Sequence, residues 1–237
     1  MSNAKRKVVG IIGGMGPQAT IDLMNRVVMR TPAADDRDHI HMIVESNPRI
    51  PSRIAHLIEG TGKDPTPELI RMARNLEAAG ATLLAMPCNT AHYYATAIRA
   101  AIGIPMLDMI ELTSVRLAKQ MPAVRVGLLA STAVLATRLY ERALVARGLT
   151  ISVPTRQADV MGLIRDVKAG ESGPAATAAL EIIARKLLES SDVLLIGCTE
   201  LSVLCGAMKL PVPIVDSQDV LADSIIAAAL NESPERC

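Results

Sequence analysis

The sequence predicts an α/β protein of two pseudo-symmetric lobes, each a mostly parallel sheet flanked by helices, with the active site in the cleft between them. Three observations carry this. Short apolar runs alternate with stretches of helical periodicity along the 237 residues, the pattern of parallel strands covered by helices. Two of the runs end in a cysteine followed at once by polar side chains: Leu83-Leu84-Ala85-Met86-Pro87-Cys88-Asn89-Thr90-Ala91-His92 and Leu194-Leu195-Ile196-Gly197-Cys198-Thr199-Glu200. Finally, the two halves echo each other. Gly10 in Val8-Val9-Gly10-Ile11-Ile12 matches Gly127 in Arg125-Val126-Gly127-Leu128-Leu129, Cys88 matches Cys198, and Asp108 matches Asp216, at offsets of 117, 110 and 108 residues. A period this long implies duplicated domains rather than a solenoid.

Taken in order, residues 8–12 form the first strand. Gly13-Gly14-Met15-Gly16 is a tight loop, and Pro17 suits the first position of a helix that runs to about residue 30, where Thr31-Pro32 stops it. Asp35-Asp36-Arg37-Asp38 is a solvated loop, and residues 41–45 are the second strand. The Pro-rich loop Ser46-Asn47-Pro48-Arg49-Ile50-Pro51-Ser52-Arg53 carries two arginines. A helix over 67–79, a strand over 82–86 and a helix from the first cysteine to about residue 101 follow. Residues 105–108 are a short strand, 110–121 a helix, 125–130 a strand, 134–147 a helix and 150–153 a short β-like run. A helix over 159–169 ends at Gly170, a suitable C-cap, and another over 174–189 opens on Pro174. The strand 193–196 delivers the second cysteine, 212–215 is the last strand and 220–230 the last helix. In this scheme residues 1–103 with 212–237 make the first lobe, carrying Cys88. Residues 104–211 make the second, carrying Cys198. The last strand and helix return to complete the first lobe.

Composition narrows the function. Half the residues are hydrophobic, yet there is no Trp or Phe and only three Tyr, so the core is aliphatic, as in parallel sheets covered on both faces. A net charge of +1 argues against general nucleic-acid binding, which needs a basic surface. No apolar run reaches the roughly 18 residues of a membrane span. Lys5, Arg6 and Lys7 open like a signal peptide, but Gly13-Gly14-Met15-Gly16-Pro17 cuts the apolar run short, and a cytoplasmic protein is expected. The four cysteines show neither disulfide-scaffold nor Cys-x-x-Cys spacing, so free thiols are expected.

In open α/β sheets ligands bind at the C-terminal ends of the strands, and both Cys88 and Cys198 sit there. A lone buried cysteine at a strand end is ordinarily a small hydrophobe. The repeat and the polar followers set these two apart; Cys205 and Cys237 lack that context and are read as ordinary packing. Two similar thiols facing one ligand suit symmetric acid–base work. One thiolate takes a proton from carbon on one face, and the other thiol returns one to the opposite face. A helix N-terminus after each cysteine would lower the thiol pKa. His92, four residues after Cys88, has a spacing seen in metal sites, but no second pair supports it, so capping or packing is the reading. His39, His41 and His56 read as surface or loop residues. Asp108 and Asp216 either cap helices or help hold the cleft.

The stretches Gly13-Gly14-Met15-Gly16-Pro17, residues 47–53, residues 86–92 and residues 197–201 together resemble the cofactor-independent aspartate/glutamate racemase family, most closely its aspartate racemase branch. The resemblance covers nearly the whole chain and implies two α/β lobes, two catalytic cysteines, and no pyridoxal phosphate, metal or other cofactor. It assigns Cys88 and Cys198 as the two bases. Asn89, Thr90 and Thr199 would hold the α-carboxylate and amino group, with Met15 and Gln18 lining the site. Arg53 and Lys168 would grip a side-chain carboxylate. Arg49 departs from the Gln frequent in relatives; it either strengthens selection for an acid or sits in solvent. Glu200, where the glutamate branch has His, favours the aspartate or broad-specificity branch. The expected partner is a small acidic amino acid, most of all aspartate, with glutamate or a broader range as the alternative and a homodimer as the assembly considered. Hydantoin racemases and maleate isomerases share the two-lobe plan.

Two readings of other classes stand beside this one. Gly14-x-Gly16-x-x-Ala19 with Glu45 fits a relaxed dinucleotide fingerprint and would suit a nucleotide-binding oxidoreductase, which leaves the paired cysteines unexplained. A catalytically silent amino-acid sensor on the same fold is the third.

Overall fold

The computed structural model describes residues 7–230, so Cys237 lies outside the described residues. Among the described residues there are seven strands: β1 (Val9–Gly13), β2 (Met42–Ser46), β3 (Leu83–Ala85), β4 (Arg125–Ala130), β5 (Thr150–Ser152), β6 (Val193–Gly197) and β7 (Ile214–Asp216). The helices are α1 (Pro17–Arg30), α2 (Thr66–Ala78), α3 (Ala95–Ala100), α4 (Met109–Gln120), α5 (Thr132–Ala136), α6 (Leu139–Val145), α7 (Gln157–Lys168), α8 (Pro174–Leu187), α9 (Thr199–Cys205) and α10 (Ser217–Ala229). They assemble on two parallel sheets, β2-β1-β3 and β5-β4-β6-β7, which confirms the two-sheet α/β class.

The repeat is visible in the topology. β1, β2 and β3 stand to one another as β4, β5 and β6 do. Beside β3, Met106 bridges to Leu84, and the Leu84 N–H donates to the Pro105 carbonyl at 2.9 Å. Beside β6, the Leu194 N–H donates to the Pro213 carbonyl at 3.1 Å. The strand expected over 105–108 therefore shrinks to one bridge in the place β7 holds in the other sheet. Asp108 ends it by turning at once into the cap of α4, its carboxylate accepting from the Ile110 and Glu111 N–H groups.

The last strand departs from the expectation. β7 pairs with β6, not with the first sheet, because the single crossover through α9 returns the chain to its neighbouring parallel strand. α10 does go back. Its Leu221, Ala222 and Ile225 pack with Val9, Ile11 and Leu23 of the first lobe, while Ile110 and Leu117 of α4 pack with Val126 and Leu128 of the second. The helix after each sheet's last edge thus covers the other sheet, and α4 and α10 pack on each other between the lobes.

Strand side chains alternate between faces. Leu83 and Ala85 meet Leu23 and Val27 of α1, whereas Leu84 meets Leu69, Met72 and Leu76 of α2 and Ile98 of α3. Leu84 is fully buried and contributes about 1.5–3 kcal/mol by leaving water. The second sheet repeats the plan, with Leu128 and Leu195 facing α6 and Leu129, Leu194 and Ile196 facing α7 and α8.

Two helices depart from expectation. The helix predicted over 134–147 is broken: Arg138 adopts φ +55°, and the Thr137 hydroxyl satisfies the Ala133 carbonyl at 2.6 Å, ending α5. After Cys88 the chain makes a 3-10 turn, Thr90–Tyr94, before α3 begins. A single wide helical turn, Ala55–Glu59, follows the loop after β2. Among the described residues, no helix is long and apolar enough to cross a membrane.

Candidate active site

Cys88 follows β3, and Cys198 follows β6 as the N-cap residue of α9. Both thiols are buried and line a single cavity of about 40 Å³ between the lobes. Met15, Arg53, Asn89, Thr90, Lys168, Thr199 and Glu200 line it with them, so nine of the ten residues expected at the site converge. Gln18 does not. It sits on the exposed first turn of α1, donates to the Ser172 hydroxyl at 3.4 Å, and lines an adjoining cavity of about 460 Å³. The two cavities share Met15, Ser52, Arg53, Lys168 and Glu200, so both expected cations stand where they meet.

Local sequence explains these placements. Gly14 has φ +95°, and a Cβ there would lie 2.3 Å from the Asn47 carbonyl carbon, so glycine lets the first loop pack flat on the loop after β2. Asn47 folds that second loop with its side-chain oxygen on the Arg49 N–H, at 2.9 Å. The Arg53 guanidinium is thereby held against the Pro51 carbonyl at 3.0 Å, and its buried Nε has no protein partner. Arg49 is exposed and lines neither cavity.

The electrostatics oppose the simplest expectation. Burial pushes the Cys88 thiol up, against the pull of Arg53, and Glu200 adds to the push. Burial also drives the Cys198 thiol well above its ordinary value. The Glu200 charge and its hydrogen bond to the thiol, at 3.1 Å, reinforce this, while Lys168 opposes it. Helix N-termini do not outweigh this desolvation, so burial favours the protonated form of both thiols. Lys168 is engaged as well, its ammonium 3.3 Å from the Glu200 carboxylate.

His92 is buried and fixed in one tautomer. The Met109 N–H donates to Nε2 at 3.1 Å, so Nδ1 carries the proton and donates to the Cys88 carbonyl at 2.9 Å. Capping is its role, and Asp108 and Asp216 cap α4 and α10. Cys205 packs at the end of α9, away from the thiol cavity. Glu45 is held by Arg71 at 2.9 Å and Asn75 at 3.3 Å, which removes the acidic residue that the nucleotide reading required.

The sequence reading missed Ser52 and Ser131, which also line the thiol cavity, and Tyr140 and Ser217, which hold Asn89 from behind. Ser131 caps α5 and lies 3.1 Å from the Thr90 hydroxyl. The repeat offers a signal for it, since Ser131 occupies after β4 the place Gly14 occupies after β1. Tyr140 had a signal too: in a chain with three aromatics, an inward Tyr on an apolar helix face needs a polar partner.

Comparison with known proteins bears on family and fold. The family model described as Asp/Glu/Hydantoin racemase matches residues 12–225. A broad-specificity amino-acid racemase, RacX, of Bacillus subtilis (strain 168) is 27% identical over 228 residues, covering 94% of this chain and 98% of the relative. The structure of an aspartate racemase from Picrophilus torridus superposes with a TM-score of 0.86 at 31% identity, covering 94% of each chain. That of a Bacillus anthracis glutamate racemase isoform, RacE1, shares the fold at a TM-score of 0.67 and 16% identity, covering 93% of this chain and 80% of that one. With the model spanning both sheets and both cysteine-bearing strand ends, this chain belongs to the Asp/Glu/hydantoin racemase family and is an amino-acid racemase.

Proposed function

We propose that the protein racemises an acidic amino acid, aspartate before glutamate, by proton transfer between two thiols. The observation that carries this is that Cys88 and Cys198, at equivalent strand ends of the two lobes, line one small cavity with Arg53 and Lys168 at its outer side. Thr90 and Thr199 supply hydroxyls, and Asn89 the one amide hydrogen its own partners leave over, that would hold the α-carboxylate and amino group, with the N–H groups opening α9. Arg53 would take the distal carboxylate through charge-assisted hydrogen bonds.

Burial favours the protonated form of both thiols, so forming one thiolate as substrate binds releases one proton to solvent. The substrate's ammonium group and the Arg53 guanidinium each favour the charged sulfur. The thiolate then takes the α-proton, and the electron pair left on carbon is delocalised into the α-carboxylate. The opposite thiol gives its proton to the other face of the carbon. The product leaves with the protonation of the two sulfurs exchanged, and solvent restores the starting state. The position of the two sulfurs converts this into an intramolecular transfer.

The adjoining cavity of about 460 Å³ favours a second reading within the family, a broader substrate range in which longer side chains extend past Arg53. The test is circular dichroism of purified protein with L-Asp, L-Glu and neutral L-amino acids, no cofactor added. Loss of signal fastest with L-Asp supports the first reading. Equal loss with long neutral side chains supports the second. No loss with any, and no α-proton exchange in deuterated water, overturns both.

A further inference from the structure

Asn89 is one of the buried side chains beside the thiol cavity, and its amide makes hydrogen bonds directed away from that cavity. Its oxygen accepts from the Tyr140 hydroxyl at 2.6 Å, and its Nδ2 donates to the Ser217 hydroxyl at 3.1 Å. Ser217 in turn donates to the Ile196 carbonyl at 2.8 Å. Asn89, Tyr140 and Ser217 are all buried, Tyr140 and Ser217 completely. The three come from the first thiol's strand end, from α6 and from the start of α10.

The chain of bonds ends two residues before Cys198 and begins one residue after Cys88. The Tyr140 ring closes the same circuit from the other side. A Cβ added to Gly197, next to Cys198, would lie 3.0 Å from Tyr140 Cε2, so the ring rests on that glycine. One phenol thus touches the strand end of one thiol with its ring and the strand end of the other with its hydroxyl. Burial raises its pKa, so it stays a neutral donor across the working pH range.

We infer that Tyr140 is a positioning residue for the reaction proposed above, on which this inference rests: through Asn89 and Gly197 it sets the two thiols in register across the lobe interface. Tyr140 lines neither the thiol cavity nor the adjoining one, so it acts through those residues and not on substrate. Racemisation needs both sulfurs placed at once. Exchange of the α-proton with solvent at one face needs one sulfur only. A register error therefore penalises inversion more than same-face exchange, which a general loss of stability would not do.

The test is Tyr140→Phe, which keeps the ring on Gly197 and removes the hydroxyl. In deuterated water, racemisation and α-proton exchange are measured together from each enantiomer, beside thermal unfolding. The expected result is a kcat for racemisation lower by about 10–100-fold and a lower ratio of racemisation to exchange, since misplacement near 1 Å costs rates of that order. Ser217→Ala cuts the same circuit elsewhere and serves if the first variant does not fold; the same fall in ratio is expected. An unchanged ratio in folded protein overturns the inference and leaves the proposed reaction standing. A parent inert toward every amino acid overturns the proposed reaction and this inference with it.

Discussion

The Cys198 thiol donates to the Glu200 carboxylate at 3.1 Å, and the other oxygen of that carboxylate faces Lys168 at 3.3 Å. Burial first, and Glu200 after it, favour the protonated Cys198 thiol, while Lys168 pairs with the same carboxylate. Glu200→Gln removes the charge and the strong acceptor, so the Cys198 pKa falls, and Lys168 is freed to favour the thiolate. Below the pKa each unit of fall raises the thiolate fraction about tenfold. Alkylation of Cys198 by iodoacetamide at fixed pH, followed by peptide mass spectrometry, should be faster in Glu200→Gln than in the parent. A slower or equal rate contradicts this account of the Cys198 environment.

Arg53 donates hydrogen bonds to its own loop, at Pro51 and Ile50. Removing it leaves both sheets untouched. Arg53→Ala should raise KM for aspartate by about 10–100-fold, the range of a lost charge-assisted hydrogen bond of about 1.5–3 kcal/mol, with thermal unfolding little changed. Aspartate turned over by the variant with parental KM would remove Arg53 from substrate recognition.

The two thiols divide the work by face if both enantiomers place their carboxylates alike. The expected division is Cys198 for the L form and Cys88 for the D form. Cys88→Ala should stop racemisation yet retain some α-deuterium loss from L-Asp, returned to the same face; Cys198→Ala should show the opposite bias. Cys205→Ala should match the parent. Interconversion at the parental rate in either of the first two variants ends the two-thiol mechanism.

His92 ties stability to pH. Burial lowers its pKa below the usual 6.5, more than Asp108 raises it, because both ring nitrogens are committed in the neutral form. The unfolded chain binds a proton near pH 6.5 that the folded chain refuses. This contribution is fully present above pH 6.5 and is lost as pH falls toward the lowered folded value. For one proton the slope is at most about 1.4 kcal/mol per pH unit. Unfolding by urea between pH 6.5 and 5 should lose stability in the parent and lose less per unit in His92→Gln, whatever that variant's absolute stability. Equal slopes would show that another group controls this window.

The strand ends, the repeat and the residues around each cysteine were legible in the sequence because they are local. An apolar run that stops at Cys-Asn-Thr or Cys-Thr-Glu shows where a buried strand meets a polar site, and a run of aliphatic residues without Phe or Trp fits a parallel sheet covered on both faces. Nine of the ten expected site residues lie around one cavity, since strand-end position alone brings seven of them near. Gln18 lies outside because it stands on the exposed first turn of α1, which borders the outer cavity.

Tertiary structure decided the rest. Which sheet receives β7 depends on hydrogen bonding to β6, and nothing in the residues 212–216 distinguishes two equally apolar edges. The exchange of α4 and α10 between lobes depends on faces that are complementary only once both sheets exist. The protonation of the thiols depends on burial, which outweighs the helix termini that the sequence suggested. Tyr140 reaches Asn89, 51 residues away in the chain, only because Arg138 breaks the helix before it. Spacing along the chain determined which residues could do the chemistry; long-range packing and desolvation determined how they are charged and held.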